Sequence, residues 1–341
     1  MIKEWNEGWL TSGAYLYCIM KRLLPLLAIL LAGCAHFRPA ARPATDWRNS
    51  LTVVVADVGQ GESIVIRGPT GRIAVIDAGV SRATGARVWN FIRDSLETRR
   101  LDWVFASHYH IDHIGGLVSV LDSVFSLSPD SLVFGVFDRG GETADTFFVN
   151  YATAARDRRR SVVLGEIYDL GGGAALTCVL HDGKVLSGDS VVPAEENSRS
   201  IGLLLEYDGF RMIIASDIGG YRGRYSDIET ILAPVVGRVS VLYVNHHGSA
   251  HSSNPFWLET LRPQASVISC GTGNPWGHPT EKALSRLLAS PGNKVYQTQR
   301  GALDPQDLRI AKGRIKVVAS NVWIVIDPPR FQVNADWYRI E

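Results

Sequence analysis

Ser107-His108-Tyr109-His110-Ile111-Asp112-His113-Ile114-Gly115-Gly116 decides how the chain is read. Three imidazoles and a carboxylate fall within six residues, and two glycines follow. Upstream, Leu101-Asp102-Trp103-Val104-Phe105-Ala106 is an apolar, β-prone run; downstream, Leu117-Val118-Ser119-Val120-Leu121 predicts a helix. The cluster is therefore expected at the C-terminal end of a strand, on the loop that opens a helix, where sites for metal and substrate are commonly built. Alternate side chains of an extended loop point the same way, so His108 and His110 are expected to converge on one cation. Past the turn, Asp112 and His113 are expected to converge on a second. Imidazole and carboxylate donors without a thiolate suit Zn²⁺, and also Mn²⁺ or Fe²⁺.

The pattern His-x-His-x-Asp-His-x-Gly-Gly resembles the signature of the metallo-β-lactamase-fold hydrolases. Asp57-Val58-Gly59-Gln60-Gly61-Glu62-Ser63 resembles, more narrowly, the opening motif of the metallo-hydrolase domain of ComEC-type DNA-uptake competence proteins, which usually has Asp where Glu62 stands. Further motifs follow in the order of that family. Glu196-Asn197-Ser198-Arg199-Ser200 precedes a hairpin that turns at Asp208-Gly209 and ends in Ser216-Asp217, where relatives usually have Gly-Asp. Asn245-His246-His247-Gly248-Ser249 is a second dense His loop after an apolar strand. Asn274-Pro275-Trp276-Gly277-His278-Pro279 resembles the family's Asn-x-Tyr-Gly-His-Pro loop, with Trp276 in place of Tyr. Val295-Tyr296-Gln297-Thr298-Gln299 resembles the closing segment, with Gln299 where Asp is common.

The resemblance covers roughly residues 51–302 and implies an α/β (α+β) fold, a four-layer αββα sandwich with its active-site loops at one edge. It implies two divalent metal ions, Zn²⁺ or Mn²⁺, held by His108, His110, Asp112, His113, Asp217 and His247. Asp217 is the expected bridge, because its two oxygens can reach two cations ~3.5–4 Å apart. His246, His278 and Asp112 are the expected catalytic groups. His247 is assigned as ligand and His246 to the substrate phosphate or leaving group, with the order of the two left open. Many relatives supply a third His to the first metal. In that interval this chain has only His181, in a turn-like Leu180-His181-Asp182-Gly183. The first site is then His108, His110 and Asp217 completed by water, which implies weaker metal binding or a preference for Mn²⁺.

The chain has 341 residues, 46% of them hydrophobic and 20% charged, and a formal net charge of +1. This composition suits one large domain or two small ones and gives no global argument for nucleic-acid binding. Arg156, Arg158, Arg159 and Arg160 form a local basic run, read as a solvated helix face or a phosphate-contacting edge. Met20-Lys21-Arg22 followed by the apolar run 23–32 reads as a signal peptide. Leu31-Ala32-Gly33-Cys34 resembles a bacterial lipobox, which implies cleavage before Cys34 and a lipid anchor on it; an ordinary secretory signal or an uncleaved anchor are the alternatives. Ala35 then favours the outer membrane. The expected organisation is a mis-annotated extension at 1–19, a signal peptide at 20–33, a tether at 34–50, the hydrolase domain at 51–328 and a tail at 329–341. Val322–Ile326 is read as an edge strand. Cys178 and Cys270 each lie in β-prone runs and are expected to be buried, with pairing left open.

The expected function is an exported metal-dependent hydrolase. A water acidified by the two metals attacks phosphorus in line, and a phosphodiester, with DNA as the leading case, is the substrate. The membrane is met through the Cys34 anchor, and no protein partner can be inferred. The alternatives are another envelope ester or amide, such as a phosphorylcholine ester or a β-lactam, and a protein that only binds nucleic acid or an envelope polymer.

Overall fold

The computed structural model describes residues 47–221, 223, 225–303 and 313–341. The expected segment 1–19, the signal peptide, the Cys34 anchor and the first part of the tether lie outside the described residues. The end of the tether belongs to the domain: Trp47 is buried, its ring 6.3 Å from that of Trp323. Among the described residues no helix is long and apolar enough to cross a membrane.

Continuous runs of β-branched residues build the interior. β1 (Leu51–Val55), β2 (Ile64–Arg67) and β3 (Ile73–Ile76) form an antiparallel meander. β4 (Leu101–Phe105), β5 (Leu132–Asp138) and β6 (Arg159–Ser161) extend it in parallel. The second sheet contains β7 (Ile167–Gly171), β8 (Ala174–His181), β9 (Lys184–Val185), β10 (Gly202–Tyr207) and β11 (Phe210–Ile214), all antiparallel. It continues in parallel through β12 (Val241–Tyr243), β13 (Ala265–Ile268), β14 (Lys294–Gln297) and β15 (Ile315–Val317). The chain then returns to the first sheet as β16 (Val322–Asp327), β17 (Arg330–Val333) and β18 (Asp336–Arg339).

Side-chain alternation defines the layers. Leu203 and Leu205 of β10 join Val53, Val55, Ile64 and Phe105 in the core between the sheets. Leu204, between them, faces the opposite way into a second core with Leu232, Trp257 and Leu284. Those three residues come from α5 (Glu229–Val236), α6 (Pro255–Leu261) and α7 (Glu281–Ala289). The remaining helices are α1 (Arg82–Ser95), the short α2 (Ile111–Ile114), α3 (Leu117–Leu127) and α4 (Thr146–Ala155). They bury apolar faces such as Val88, Ile92, Val120 and Val124. Both sheets thus have covered faces, which is why their central strands read as unbroken apolar runs rather than alternating ones.

The domain does not end at residue 328, and Val322–Ile326 is not an edge. β16 pairs with β1 over five residues and is buried on both faces from Val322 to Ile326, in keeping with the apolar sequence of those five residues. Pro328-Pro329 is the turn into β17, and β18, alternately half-buried and exposed, is the true edge. The arginine run lies at the opposite edge, where it is used structurally. Arg159 Nε donates to Asp138 at 2.6 Å, Arg158 to the carbonyls of Leu132 and Val133, and Arg156 covers the Phe125 ring. Cys178 and Cys270 are free buried thiols in different cores.

Leu205→Ala is expected to lower the unfolding free energy by ~2–5 kcal/mol, the range for emptying a buried leucine site. Its exposed neighbour Glu206 takes part in a surface ion pair with Arg211, so Glu206→Ala stays within about 1 kcal/mol. Urea unfolding checks the contrast; equal effects would overturn the assignment of faces.

Candidate metal centre

Parallel strands end on the same edge of their sheet, and that fact assembles the site. Asp77 follows β3 and the His cluster follows β4 in the first sheet. Asp217 follows β11, His246-His247 follows β12 and the His278 loop follows β13 in the second. Close backbone contacts fasten the first-sheet loops together. Glu62 N donates to Asp112 O at 3.1 Å, Gly79 N to Glu62 O at 2.8 Å, and Ala78 N to His113 O at 3.0 Å. Only glycine fits at two of these contacts. A Cβ at Gly116 would stand 1.9 Å from the Ala78 oxygen, and one at Gly61 2.4 Å from the Asp112 oxygen.

Asp112, His113, Asp217 and His247 converge. His113 Nε2 lies 3.5 Å from Asp217 Oδ2 and 3.9 Å from Asp112 Oδ2. His247 Nε2 lies 3.6 Å from Asp112 Oδ2 and 3.6 Å from Asp217 Oδ1. Donors bonded to one cation at ~2.1 Å stand roughly 3.0–3.5 Å apart for angles between 90° and tetrahedral, close to these separations. His113 Nε2, His247 Nε2 and Asp217 Oδ1 are buried without a hydrogen-bond partner. Native interiors seldom leave such atoms unsatisfied, and a divalent cation would satisfy all three. His108 is also buried and groups with His113 and Asp217, while its Nε2 stands 3.0 Å from Nδ1 of the exposed His110. The residues present therefore fit divalent metal ions.

Supporting contacts orient the imidazoles. Asp77 Oδ2 is 2.8 Å from His113 Nδ1 and accepts from Ser107 Oγ at 2.5 Å, which turns His113 Nε2 to the centre. His247 Nδ1 is 3.1 Å from the Ser269 carbonyl oxygen and is fixed in the same sense. Such partners are typical of metal-binding histidines. His246 is arranged differently: its Nε2 is 3.2 Å from the Asn197 carboxamide and 3.7 Å from Asp217 Oδ2. His278 lies beyond it, ring centroids 5.4 Å apart. Thr280 caps α7 through its side chain. His181 stays outside the cluster, with Nε2 2.8 Å from the Arg139 carbonyl oxygen.

Burial opposes charge on every group here, and neighbours decide which lose. Asp217 is nonetheless held well below the usual carboxylate range by His247, His113 and His246. Against its own burial, His113 is held well above the ordinary value by Asp217 and Asp112, and His247 is pushed up to about 9 by the same two carboxylates. Burial and the positive His113 press His108 well down, and burial with His246 and His247 takes His278 to about 4. Burial, reinforced by Asp77, takes Glu62 up to about 8.

Two supporting residues escaped the sequence reading. Asp77 directly follows β3 and faces the His loop after β4, and that position at a strand end is its one signal in the sequence. Glu229 stands in the first turn of α5 and is fully buried. It accepts from Asn245 Nδ2 at 2.7 Å, Ser253 N at 2.6 Å and Asn254 N at 2.7 Å. It thereby holds both ends of the loop carrying His246 and His247, which take consecutive left-handed conformations at φ 51° and 52°. Nothing in the local sequence of α5 marks it.

Two β-sheets packed face to face, covered by helices and carrying His-rich loops at one edge, define the metallo-β-lactamase fold. The profile of the Metallo-beta-lactamase superfamily matches residues 56–124. In sequence the chain is similar to competence proteins. It is 27% identical over 304 residues to competence protein ComA of Neisseria gonorrhoeae, covering 85% of this chain and 38% of that protein. It is 28% identical over 274 residues to Recombination protein 2 of Haemophilus influenzae, covering 80% and 29%. The chain thus spans only about a third of the length of these relatives. Among solved structures, the metallo-beta-lactamase fold protein YhfI of Bacillus subtilis matches 74% of this chain and 98% of its own at 11% identity and a TM-score of 0.46.

Asp77→Asn is expected to weaken metal binding at the His113 position about 10–100-fold, the usual consequence of losing an orienting carboxylate. Titration against a chromogenic chelator measures it; unchanged affinity would remove Asp77 from the site. Glu229→Gln sets an amide N–H₂ against donors, and is expected to lower the melting temperature and weaken metal binding together. A variant with both unchanged would show that the His loop holds itself.

Proposed function

We propose that this chain is an exported metal-dependent phosphodiesterase with two divalent ions, Zn²⁺ or Mn²⁺, and DNA as its leading substrate. One observation carries the reading: the buried Asp217 groups with His108 and His113 and also has Oδ1 3.6 Å from His247 Nε2, so one carboxylate stands within reach of ligands proposed for both ions. The ions would be held by His108, His110 and Asp217 on one side and by Asp112, His113, Asp217 and His247 on the other. When bound, they supply an acidified water and electrostatic stabilisation of the phosphoryl oxygens.

The chain's own groups do the rest. The ligands open onto a cavity of about 570 Å³ lined by Asn197, His246, Ser249 and His278. His278, with burial and its neighbours depressing its basicity, stays neutral near pH 7 and offers an N–H to a phosphoryl oxygen without repelling the cations. Asn197 orients His246 for the same task. Asn197 lines the cavity, and His181, the histidine in the interval where many relatives have a third ligand, stays outside it, which supports a phosphodiester over a β-lactam. The names of the relatives, a competence and a recombination protein, agree with a nucleic-acid substrate. Anchoring in the envelope through Cys34 remains part of the proposal and rests on the lipobox-like stretch.

Turnover of bis-p-nitrophenyl phosphate and single-stranded DNA, with Zn²⁺ and Mn²⁺ in parallel, tests the reading. Activity is expected in the parent and a loss of at least about 10³-fold in Asp217→Ala, comparable to removing a principal electrostatic element. His278→Ala should lower kcat by about 10²-fold with metal content unchanged. A metal-loaded parent inactive on both substrates would overturn the proposal in favour of another ester or amide.

A further inference from the structure

Trp276 has no role in holding the metal centre, yet it stands at its mouth. It lines the same cavity as His246, His247 and His278, and at 69% exposure it is the most exposed aromatic side chain among the described residues. Its loop is firmly based: Asn274 donates to the carbonyls of Gly271 and His278 and accepts from His278 N at 3.0 Å. The tip Pro275-Trp276-Gly277 projects from that base with Trp276 stacked on no ring of the described residues. The cavity also receives Tyr225, whose ring is 5.3 Å from His246 and 5.1 Å from His251.

Two further facts narrow what such a ring is for. A single exposed indole means nothing by itself, but one held on a braced loop in the lining of the cavity that holds the candidate ligands is placed to touch what enters. And among the described residues no Lys or Arg lines the cavity. A strand entering it meets the flat π-surfaces of Trp276 and Tyr225. Base-on-aromatic stacking tolerates any sequence, because every base has a π-face, and it requires a base that is not already stacked within a duplex.

Resting on the phosphodiesterase reading, we propose that Trp276 is the specificity residue of this site: it stacks on the nucleobase next to the scissile phosphate and selects single-stranded nucleic acid over duplex and over phosphodiesters without a base. A quaternary ammonium headgroup is the competing occupant, since such a cation also binds ring faces. It calls for several rings closing around it, whereas Trp276 presents one open face at the rim.

The test uses the metal-loaded full chain and three substrates: oligothymidylate, an abasic oligonucleotide of equal length, and p-nitrophenyl phosphorylcholine. Trp276→Ala is expected to raise KM for oligothymidylate about tenfold or more, with kcat within about twofold, to leave the abasic substrate unchanged, and to be rescued by Trp276→Phe. Fluorescence anisotropy of labelled oligothymidylate, with duplex as competitor, gives a readout independent of turnover. Should the parent bind the single strand with Trp276-dependent affinity but cleave nothing, the stacking site stands and the phosphodiesterase reading falls. Cleavage with equal losses on the thymidylate and abasic substrates, or with none, overturns the stacking site alone. A Trp276-dependent loss confined to the phosphorylcholine ester assigns the ring to a cationic headgroup and overturns it too. Neither binding nor cleavage of DNA by the parent overturns both.

Discussion

The structure depends on keeping an ionised carboxylate, Asp217, in a place from which water is almost excluded. It is only 3% exposed. A lone carboxylate there would take a proton or unfold the loop. What holds it charged is a ring of imidazoles from loops of two different sheets: His113 from the first, His246 and His247 from the second. The fold can supply that ring only because β3 and β4 run parallel on one side and β11, β12 and β13 on the other, so that all five loops emerge at one edge. Sheet direction and buried charge are thus one constraint seen at two scales.

The same edge stores backbone strain. Ser216, His246 and His247 all take positive φ without being glycine, each at a cost of order 1–3 kcal/mol that the surroundings must offset. For the His pair the offset is visible. Glu229 ties Asn245, just before the pair, to Ser253 and Asn254 beyond it, and Ser252 Oγ donates back to the Asn245 carbonyl at 2.8 Å. Burial, partly countered by those donors, takes Glu229 up to about 7. The loop is held from below by α5 while its histidines face the cavity, so rigidity and strain coexist in one segment.

Much of this was legible in the chain because the active loops are local in sequence. His108 to Gly116 is a single stretch, set between a mostly apolar strand, β4, and a largely apolar helix, α3. What could not be read was whatever depends on contacts between distant segments. The partnership of Asp77 with His113 joins the ends of two strands, and that of Glu229 with Asn245 spans helix α5 and strand β12. β16 was misplaced because an apolar run looks the same at the centre of a sheet as at an edge until its partner, β1, is known. β17 and β18 were lost because Pro328-Pro329 reads as the end of regular structure, whereas here it turns a hairpin.

Besides Trp276, three positions depart from the pattern of the competence-protein domain that the chain resembles, and the structure shows how each is accommodated. Glu62 stands where Asp is usual and Ser216 where Gly is usual, and the two meet: Ser216 Oγ lies 3.3 Å from Glu62 Oε2 and donates to Ser107 Oγ at 2.8 Å. The extra methylene of Glu62 carries its carboxylate towards the left-handed corner at Ser216, whose hydroxyl supplies a contact that glycine lacks. Gln299 stands where Asp is common, and its Nε2 donates to Asp57 Oδ1 at 2.6 Å while its Oε1 accepts from Thr272 N at 2.8 Å. An Asp at that point would set two carboxylates against each other; the amide joins the opening motif of the first sheet to the loop that carries Trp276 and His278. These departures therefore preserve the contacts between the two sheets' loops, which is where a divergent chain would have to be conservative for Asp217 to remain buried and charged.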